Sequence, residues 1–223
     1  SNYYAESLNS QKLFQVYDTA LPRVRQYLKA EIDFVRQHLT GTERVLELGA
    51  GYGRIVRELA PHCAHIVGMD ISPDSVRLGE EYLQDCPNAE MVAMDVHRMR
   101  FDAPFDVVLC LQNGLSAMRA DGDTIREILD VLTPGGAAFF STYSARFWEH
   151  RVAWFQEQAD KGLLGELDME KTRDGVILCK DGFRATTQTP EEYAAIASQS
   201  GCSYEITEVD GSSLFLMLRK PGA

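Results

Sequence analysis

The segment from Val45 to Ile55 reads VLELGAGYGRI, which joins an apolar run to an acid and three evenly spaced glycines. Glycine at such positions lets the backbone approach a ligand more closely than a side chain would allow. Glu47 stands two residues before Gly49, and Gly51 and Gly53 follow it. The spacing therefore predicts either a ligand-holding loop or a tight strand-to-helix turn that holds no ligand.

A second acid follows at a distance at which it could serve the same ligand. Dinucleotide-binding folds place an acid about 20 residues beyond the glycine loop, where it accepts hydrogen bonds from ribose hydroxyls. Asp70 stands at that distance from Gly49. The alternative role for Asp70 is to cap the helix that begins near Pro73, and Ser72 competes for that role.

The elements that must position these residues alternate along the chain. Apolar residues at helical spacing predict two helices within 13–39, separated at Leu21 and Pro22. Beyond them the patterns predict strands at 44–48, 66–70, 90–94, 105–111 and 137–143, and helices at 54–60, 72–84 and 123–132. We expect an α/β fold with a doubly wound, mostly parallel seven-stranded sheet and helices on both faces.

The C-terminal third predicts a different arrangement. An aromatic-rich helix is expected at 147–159, and alternating residues at 175–187 predict a hairpin around Asp181-Gly182. Thr189 and Pro190 then have the residue types of a helix cap and first turn. The segments 204–209 and 214–219 predict a terminal antiparallel strand pair, which completes the sheet.

Composition and charge exclude several classes of protein. The chain has 223 residues and a formal net charge of −11, which argues for one domain and against nucleic-acid binding. It has neither a membrane-spanning apolar run nor a signal-peptide pattern, so a cytoplasmic protein is expected. The five cysteines are scattered, and His62 and His65 lack companion ligands, so neither disulfides nor a metal site is expected.

The E-x-G-x-G-x-G run from Glu47 to Gly53 resembles the first motif of the class I S-adenosylmethionine-dependent methyltransferases. The resemblance continues through 94–96, 105–113 and 132–136, and spans about 44–142. It implies S-adenosylmethionine as cofactor and S-adenosylhomocysteine as product. By this resemblance the cofactor contacts are Glu47, Gly49, Ala50, Gly51, Gly53, Asp70, Ile71, Asp95, Val96, Leu111 and Gln112.

Methyl transfer from a sulfonium is an in-line displacement that requires no nucleophilic side chain. His97, Asn113 and His150 are the candidates for a catalytic role, and none of them has a motif of its own. The segment after the fourth strand lacks the Asn-Pro-Pro-aromatic and Asp-Pro-Pro-Tyr motifs, which argues against nucleobase and glutamine methylation. We therefore expect N- or O-methylation of a small molecule.

The acceptor pocket of this fold is usually formed by the N-terminal segment and by the insertion after the fifth strand. These correspond to a helical lid at 1–40 and a substrate-side insertion at 144–188 within the single domain. A carboxylate on the acceptor would pair with Arg23 or Arg184. The acceptor-binding candidates are Tyr17, Arg23, Asn113, Tyr143, Trp148 and Arg184.

Three other functions stay open from the sequence. In an NAD(P)-dependent oxidoreductase the dinucleotide fingerprint would need glycine where Arg54 stands. An aminopropyltransferase has a similar fold and uses the decarboxylated cofactor. A cofactor-binding but non-catalytic interaction protein is the third alternative. A monomer or homodimer is expected in each case.

Overall fold

Helices and strands alternate through most of the computed structural model, which describes residues 11–118 and 120–223. Tyr3 and Tyr4, which the sequence places in the predicted lid, lie outside the described residues. The helices are α1 Gln11–Tyr17, α2 Pro22–Arg36, α3 Arg54–Leu59, α4 Pro73–Tyr82, α5 Gly114–Ala117, α6 Gly122–Asp130, α7 Trp148–Asp160 and α8 Pro190–Ser200. The strands are β1 Arg44–Leu48, β2 His65–Asp70, β3 Ala89–Ala93, β4 Phe105–Cys110, β5 Leu132–Tyr143, β6 Ile177–Leu178, β7 Arg184–Ala185, β8 Ser203–Val209 and β9 Ser213–Arg219.

Seven of these strands form one sheet in the order β3-β2-β1-β4-β5-β9-β8. The pairs from β3 through β5 are parallel. β9 runs antiparallel to both β5 and β8, so six strands share one direction and β9 opposes them. The prediction of a mostly parallel seven-stranded sheet with a terminal antiparallel pair is confirmed.

Alternate residues of the strands pack into two cores on opposite faces of the sheet, as the period of two in a strand requires. Val45 of β1 packs with Ile55 and Val56 of α3 on one face. Leu46 packs on the other face with Ile128 of α6 and a buried tyrosine, Tyr193, of α8. The predicted doubly wound arrangement is therefore confirmed, because each face of the sheet is covered by helices.

A third core joins the N-terminal helices to the segment that follows β5. Val16 of α1 and Tyr27 of α2 pack with Phe147 and Trp154, and the cluster extends to Ile177 of β6. This core places α1 and α7 beside each other at the carboxyl ends of the sheet strands. The division of the domain into a lid at 1–40 and an insertion at 144–188 stays a prediction.

Most strand ends lie within one residue of the sequence prediction, and the two larger differences have local causes. β5 begins at Leu132 rather than near 137, because the chain pairs with Phe105 before an irregularity in the register between β4 and β5. β6 and β7 have two residues each instead of spanning 175–187. Beside them the Thr172 hydroxyl bonds to both the N–H and the carbonyl of Leu178, at 3.1 Å each, and so takes the place of a strand partner.

α8 begins with a cap of two reciprocal hydrogen bonds. The Thr189 hydroxyl accepts a hydrogen bond from the Glu192 N–H at 3.1 Å, and the Glu192 carboxylate accepts one from the Thr189 N–H at 3.2 Å. We expect Thr189→Ala to lower the free energy of unfolding by about 1 kcal/mol, because the cap is lost. Urea unfolding measures it, with Thr189→Ser as the control that keeps the hydroxyl. Equal losses in the two variants would contradict the assignment.

Candidate functional site

A cavity of about 370 Å³ opens at the carboxyl ends of β1, β2, β3 and β4, in the size range of small-molecule sites. Side chains of α1 and α7 form its other wall. After β3, which is at one edge of the sheet, the chain crosses to β4, which lies on the other side of β1. The cavity lies at this crossing. Ten of the residues that the sequence assigns to a cofactor line it, namely Glu47, Gly49, Ala50, Gly51, Asp70, Ile71, Asp95, Val96, Leu111 and Gln112.

The glycine loop follows β1 in a backbone conformation that only glycine adopts readily. Gly51 and Gly53 have φ angles of +58° and +91°. A Cβ atom at Gly53 would lie 2.8 Å from Leu83 Cδ1, so this glycine packs against the residue that follows α4, and it does not line the cavity. Gly51 does line the cavity, and its N–H donates a hydrogen bond to Asp70 Oδ2 at 2.9 Å.

Asp70 links the glycine loop to the end of β2. Its Oδ1 atom accepts a hydrogen bond from the Ser72 N–H at 2.9 Å, while Oδ2 accepts from Gly51. Burial raises the pKa of Asp70 above its usual value, and the two N–H donors oppose that change. The cap of α4 is Ser72, whose hydroxyl accepts from the Ser75 N–H. Asp70 therefore faces the cavity and does not cap the helix.

Glu47 is the acid buried at the end of β1, with 4% of its surface exposed. Its Oε1 atom has no hydrogen-bond partner among the described residues, although Glu47 lines the cavity. Burial raises the pKa of Glu47 to about 8; the Arg54 guanidinium lowers it, and the nearby Asp70 and Glu31 carboxylates raise it. An unpaired buried carboxyl of this kind favours a ligand that brings a hydrogen-bond donor or a positive charge.

Glu31 is a second buried acid, which the sequence did not identify. It comes from α2 and does not line the cavity, and its Oε2 atom accepts a hydrogen bond from the Ser213 hydroxyl at 2.8 Å. Burial raises the pKa of Glu31 to about 7, and hydrogen bonds from Ser141 and Ser213 oppose the increase. A single glutamate in an amphipathic helix has no pattern that separates it from an exposed one, so only the packing of α2 reveals it.

Arg54 lines the cavity, and the sequence did not predict this role. Its guanidinium carbon lies 4.4 Å from the centre of the Tyr17 ring, in the geometry of a cation–π contact. The Tyr17 hydroxyl in turn donates to Gln112 Oε1 at 2.8 Å. Tyr17 of α1 is thus held by the glycine loop on one side and by the end of β4 on the other. In the sequence, this role of Arg54 could have been read from its position directly after Gly53.

Gln112 and Asn113 follow β4 with positive φ angles of 53° and 64°. The Gln112 N–H donates to the Ser141 hydroxyl, and the Asn113 N–H donates to the Ser141 carbonyl, both at 2.8 Å. The Asn113 amide donates to the Thr186 carbonyl at 2.6 Å and accepts from the Thr142 hydroxyl at 2.8 Å. Asn113 lines the cavity, but its amide ties the end of the insertion to the sheet.

Asp95 and His97 lie on the opposite rim of the cavity, after β3. Asp95 Oδ1 accepts a hydrogen bond from the His97 N–H at 3.0 Å, and the imidazole of His97 lies 3.3 Å from a carboxylate oxygen of Glu127. His97 is exposed, and so is His150, which does not line the cavity. Neither histidine is buried in the way that usually tunes a catalytic base.

The predicted acceptor-binding residues divide into two groups. Tyr17, Asn113 and Tyr143 line the cavity. Arg23, Trp148 and Arg184 do not; the guanidinium of Arg23 is bound 2.7 Å from a carboxylate oxygen of Asp210. The wall contributed by α7 consists instead of Trp154, Phe155 and Gln158. Only the docking of α7 shows which of its faces meets the cavity, so periodicity did not single these three out.

None of the described helices combines the length and apolarity of a membrane span. Within the same residues, no cluster of three or more His, Cys, Asp or Glu side chains is arranged to hold a metal ion.

The central segment of the chain is similar to known methyltransferases. Residues 45–136 match the family described as methyltransferase domain. A ubiquinone biosynthesis O-methyltransferase from Erwinia tasmaniensis is 28% identical over 116 residues, which cover 50% of this chain and 47% of that protein. The chain therefore spans about half the length of this curated relative. The match coincides with the segment that builds the glycine loop and strands β1 to β4.

Solved structures resemble the chain over almost its whole length. The N-methyltransferase NodS from Bradyrhizobium japonicum, in complex with S-adenosylhomocysteine, superposes with a TM-score of 0.61 at 15% identity and covers 99% of this chain and 100% of its own. A DhpI complex with the same ligand gives a TM-score of 0.66 at 17% identity, covering 99% and 94%. At these identities the likeness supports the fold.

The buried carboxyl of Glu47 predicts a pH dependence of stability. Its pKa is about 8 in the folded chain and 4.5 without the surrounding protein. The folded state therefore gains most from the protonated carboxyl below pH 4.5, and this contribution is lost as pH rises through 8. We expect Glu47→Gln, which stays neutral, to be more stable than wild type on the alkaline side by a few kcal/mol, with little difference in acid.

Urea unfolding on the two sides of this pH window measures the effect. Glu80→Gln is the matched control, because Glu80 is exposed. The stability difference between wild type and Glu47→Gln should grow with pH, whereas the difference for Glu80→Gln should stay constant. A constant difference for both variants would show that Glu47 is ionised throughout the range.

Proposed function

We propose that this chain is an S-adenosylmethionine-dependent methyltransferase that acts on a small molecule, because residues 45–136 match the family described as methyltransferase domain. The observation that carries the proposal is the buried Glu47 carboxyl, which has an oxygen without a partner among the described residues and lies beside the glycine loop in the cavity. The cofactor has an ammonium group that would satisfy it. We propose this activity for the whole protein, although the match covers only 47% of the length of the curated relative.

The other polar groups of the cavity also suit this cofactor. The guanidinium of Arg54 would pair with the carboxylate of the methionine part. Asp70 would accept hydrogen bonds from the ribose hydroxyls, and Asp95 from the adenine amine, with Val96 beside it. Gly49 and Gly51 line the cavity, and a Cβ atom at either position would lie 3.0 Å from another lining side chain, Met118 and Leu13 respectively. Four chemically different parts of one molecule thus have matching residues.

When bound, the cofactor supplies an activated methyl group on a sulfonium. The chain's own residues bind and orient the reactants and keep water away from them. Tyr17 closes the cavity through its hydroxyl bond to Gln112, and α7 covers the remaining side with Trp154 and Phe155. The Asn113 amide is bonded to Thr186 and Thr142, so Asn113 positions the segments around the cavity.

The atom that accepts the methyl group distinguishes the relatives from one another. The curated relative is named for O-methylation and NodS for N-methylation. We propose N- or O-methylation at a neutral acceptor atom for this chain, with the acceptor's proton passing to solvent after methyl transfer, since neither His97 nor His150 is buried. A cytoplasmic location and a monomeric or homodimeric state stay predictions from the sequence.

Calorimetric titration with S-adenosylhomocysteine tests the proposal. Wild type should bind it, and Asp70→Ala should bind at least about tenfold more weakly, because hydrogen bonds to a charged group are lost. Asp102→Ala is the control, since Asp102 is exposed and does not line the cavity. Binding of NAD in place of S-adenosylhomocysteine would overturn the proposal, and so would equal affinity in Asp70→Ala.

A further inference from the structure

Aromatic rings line the part of the cavity that is formed by α1, β5 and α7. Tyr17 comes from α1, Tyr143 from the end of β5, and Trp154 and Phe155 from α7. The Tyr17 and Trp154 rings lie 6.3 Å apart between centres, and the Tyr143 and Phe155 rings 6.4 Å apart. Aromatic walls gain most from a planar guest that can stack on them or meet their edges.

Arginines already lie over three of these four rings. The guanidinium carbon of Arg151 is 4.8 Å from the Tyr143 ring centre and 5.8 Å from that of Phe155. Arg54 lies 4.4 Å from the Tyr17 ring centre. A ring attracts a cation through the negative charge of its face, and a second cation on the opposite face is repelled by the first. A positively charged acceptor is therefore disfavoured against this wall.

A negatively charged acceptor is disfavoured as well. The cavity is lined by three carboxylic side chains, Glu47, Asp70 and Asp95, but by one guanidinium, that of Arg54, among the described residues. Arg54 is the partner proposed above for the cofactor's own carboxylate. A second carboxylate would be left without a cation in an enclosed space, which is costly. Arg23 and Arg184, which the sequence offered as its partners, lie outside the cavity lining.

Gln158 supplies a neutral polar group on the same wall. It follows Trp154 by one helical turn, so the two side chains share a face of α7. Gln158 is 4% exposed and lines the cavity, and its amide makes no hydrogen bond to another described residue. Such an amide can both donate and accept, so it can bind a hydroxyl or a carbonyl group of a ligand.

We propose that the acceptor is a neutral, planar aromatic molecule with a hydrogen-bonding substituent, and that Gln158 binds that substituent and so sets the acceptor's orientation. This assignment rests on the proposed function, because it takes the glycine-loop side of the cavity as the cofactor's place. It excludes aromatic carboxylates and aromatic compounds with an alkylammonium group as preferred acceptors, although they share the same ring.

Three phenols that differ in charge test the proposal: para-hydroxybenzamide, para-hydroxybenzoate and para-hydroxybenzylamine. Their affinities are measured by ligand-observed NMR titration, on the protein alone and on protein saturated with S-adenosylhomocysteine. The neutral amide should bind at least about tenfold more tightly than either ion. Gln158→Leu should weaken its binding about fivefold, the effect of one lost hydrogen bond.

Gln156→Leu is the matched control, because Gln156 lies on the same helix, does not line the cavity, and donates to Asp160 Oδ1. Both variants should keep the wild-type affinity for S-adenosylhomocysteine, which shows that they fold. Tighter binding of either ion, an unchanged affinity in Gln158→Leu, or no binding of any of the three at millimolar concentration would overturn the proposal. Failure to bind S-adenosylhomocysteine, with the amide still preferred by the protein alone, would instead overturn the proposed function.

Discussion

The structure depends on one topological constraint, the passage of the chain from β3 across to β4. In the sheet, β2 and β3 lie on one side of β1, and β4 and β5 lie on its other side. The loops after β1 and β4 therefore leave the sheet in diverging directions and open a crevice between them. The glycine loop lies at one side of this crevice and the Gln112-Asn113 pair at the other. The remaining parts of the site are arranged around that gap.

Charge inside the gap determines what it can hold. Burial raises the pKa of two glutamates, Glu31 and Glu47; the Glu31 carboxylate raises that of Glu47 further, and Arg54 lowers both. The free-energy cost of burying these carboxylates is reduced when a ligand brings a positive charge to Glu47. On the far side, α7 and the end of β5 present aromatic rings backed by Arg151, so the two halves of one cavity have opposite chemical requirements. One half suits a zwitterionic cofactor and the other an uncharged ring.

The sequence predicted those features that depend on local patterns. The sheet strands follow from apolar runs, the glycine loop from its spacing, and the cap of α8 from Thr189 and Pro190. Long-range packing determined the features that it missed. Arg54 acquires its role when Tyr17 of α1 docks on it, and Gln158 when α7 turns that face toward β5. Arg23 shows the same limit, since a hairpin aspartate distant in sequence, Asp210, binds its guanidinium.

We propose that the buried carboxyl of Glu47 receives the ammonium group of the cofactor, and the other roles in the site depend on this contact. Titration calorimetry with S-adenosylhomocysteine at neutral pH, in two buffers of different ionisation enthalpy, counts the protons exchanged on binding. With a pKa of about 8, Glu47 is mostly protonated before binding, and an ammonium beside it would displace that proton. The account predicts release of up to about one proton per site in wild type and a much smaller release in Glu47→Gln. Binding without proton release, or with the same release in both proteins, would contradict it.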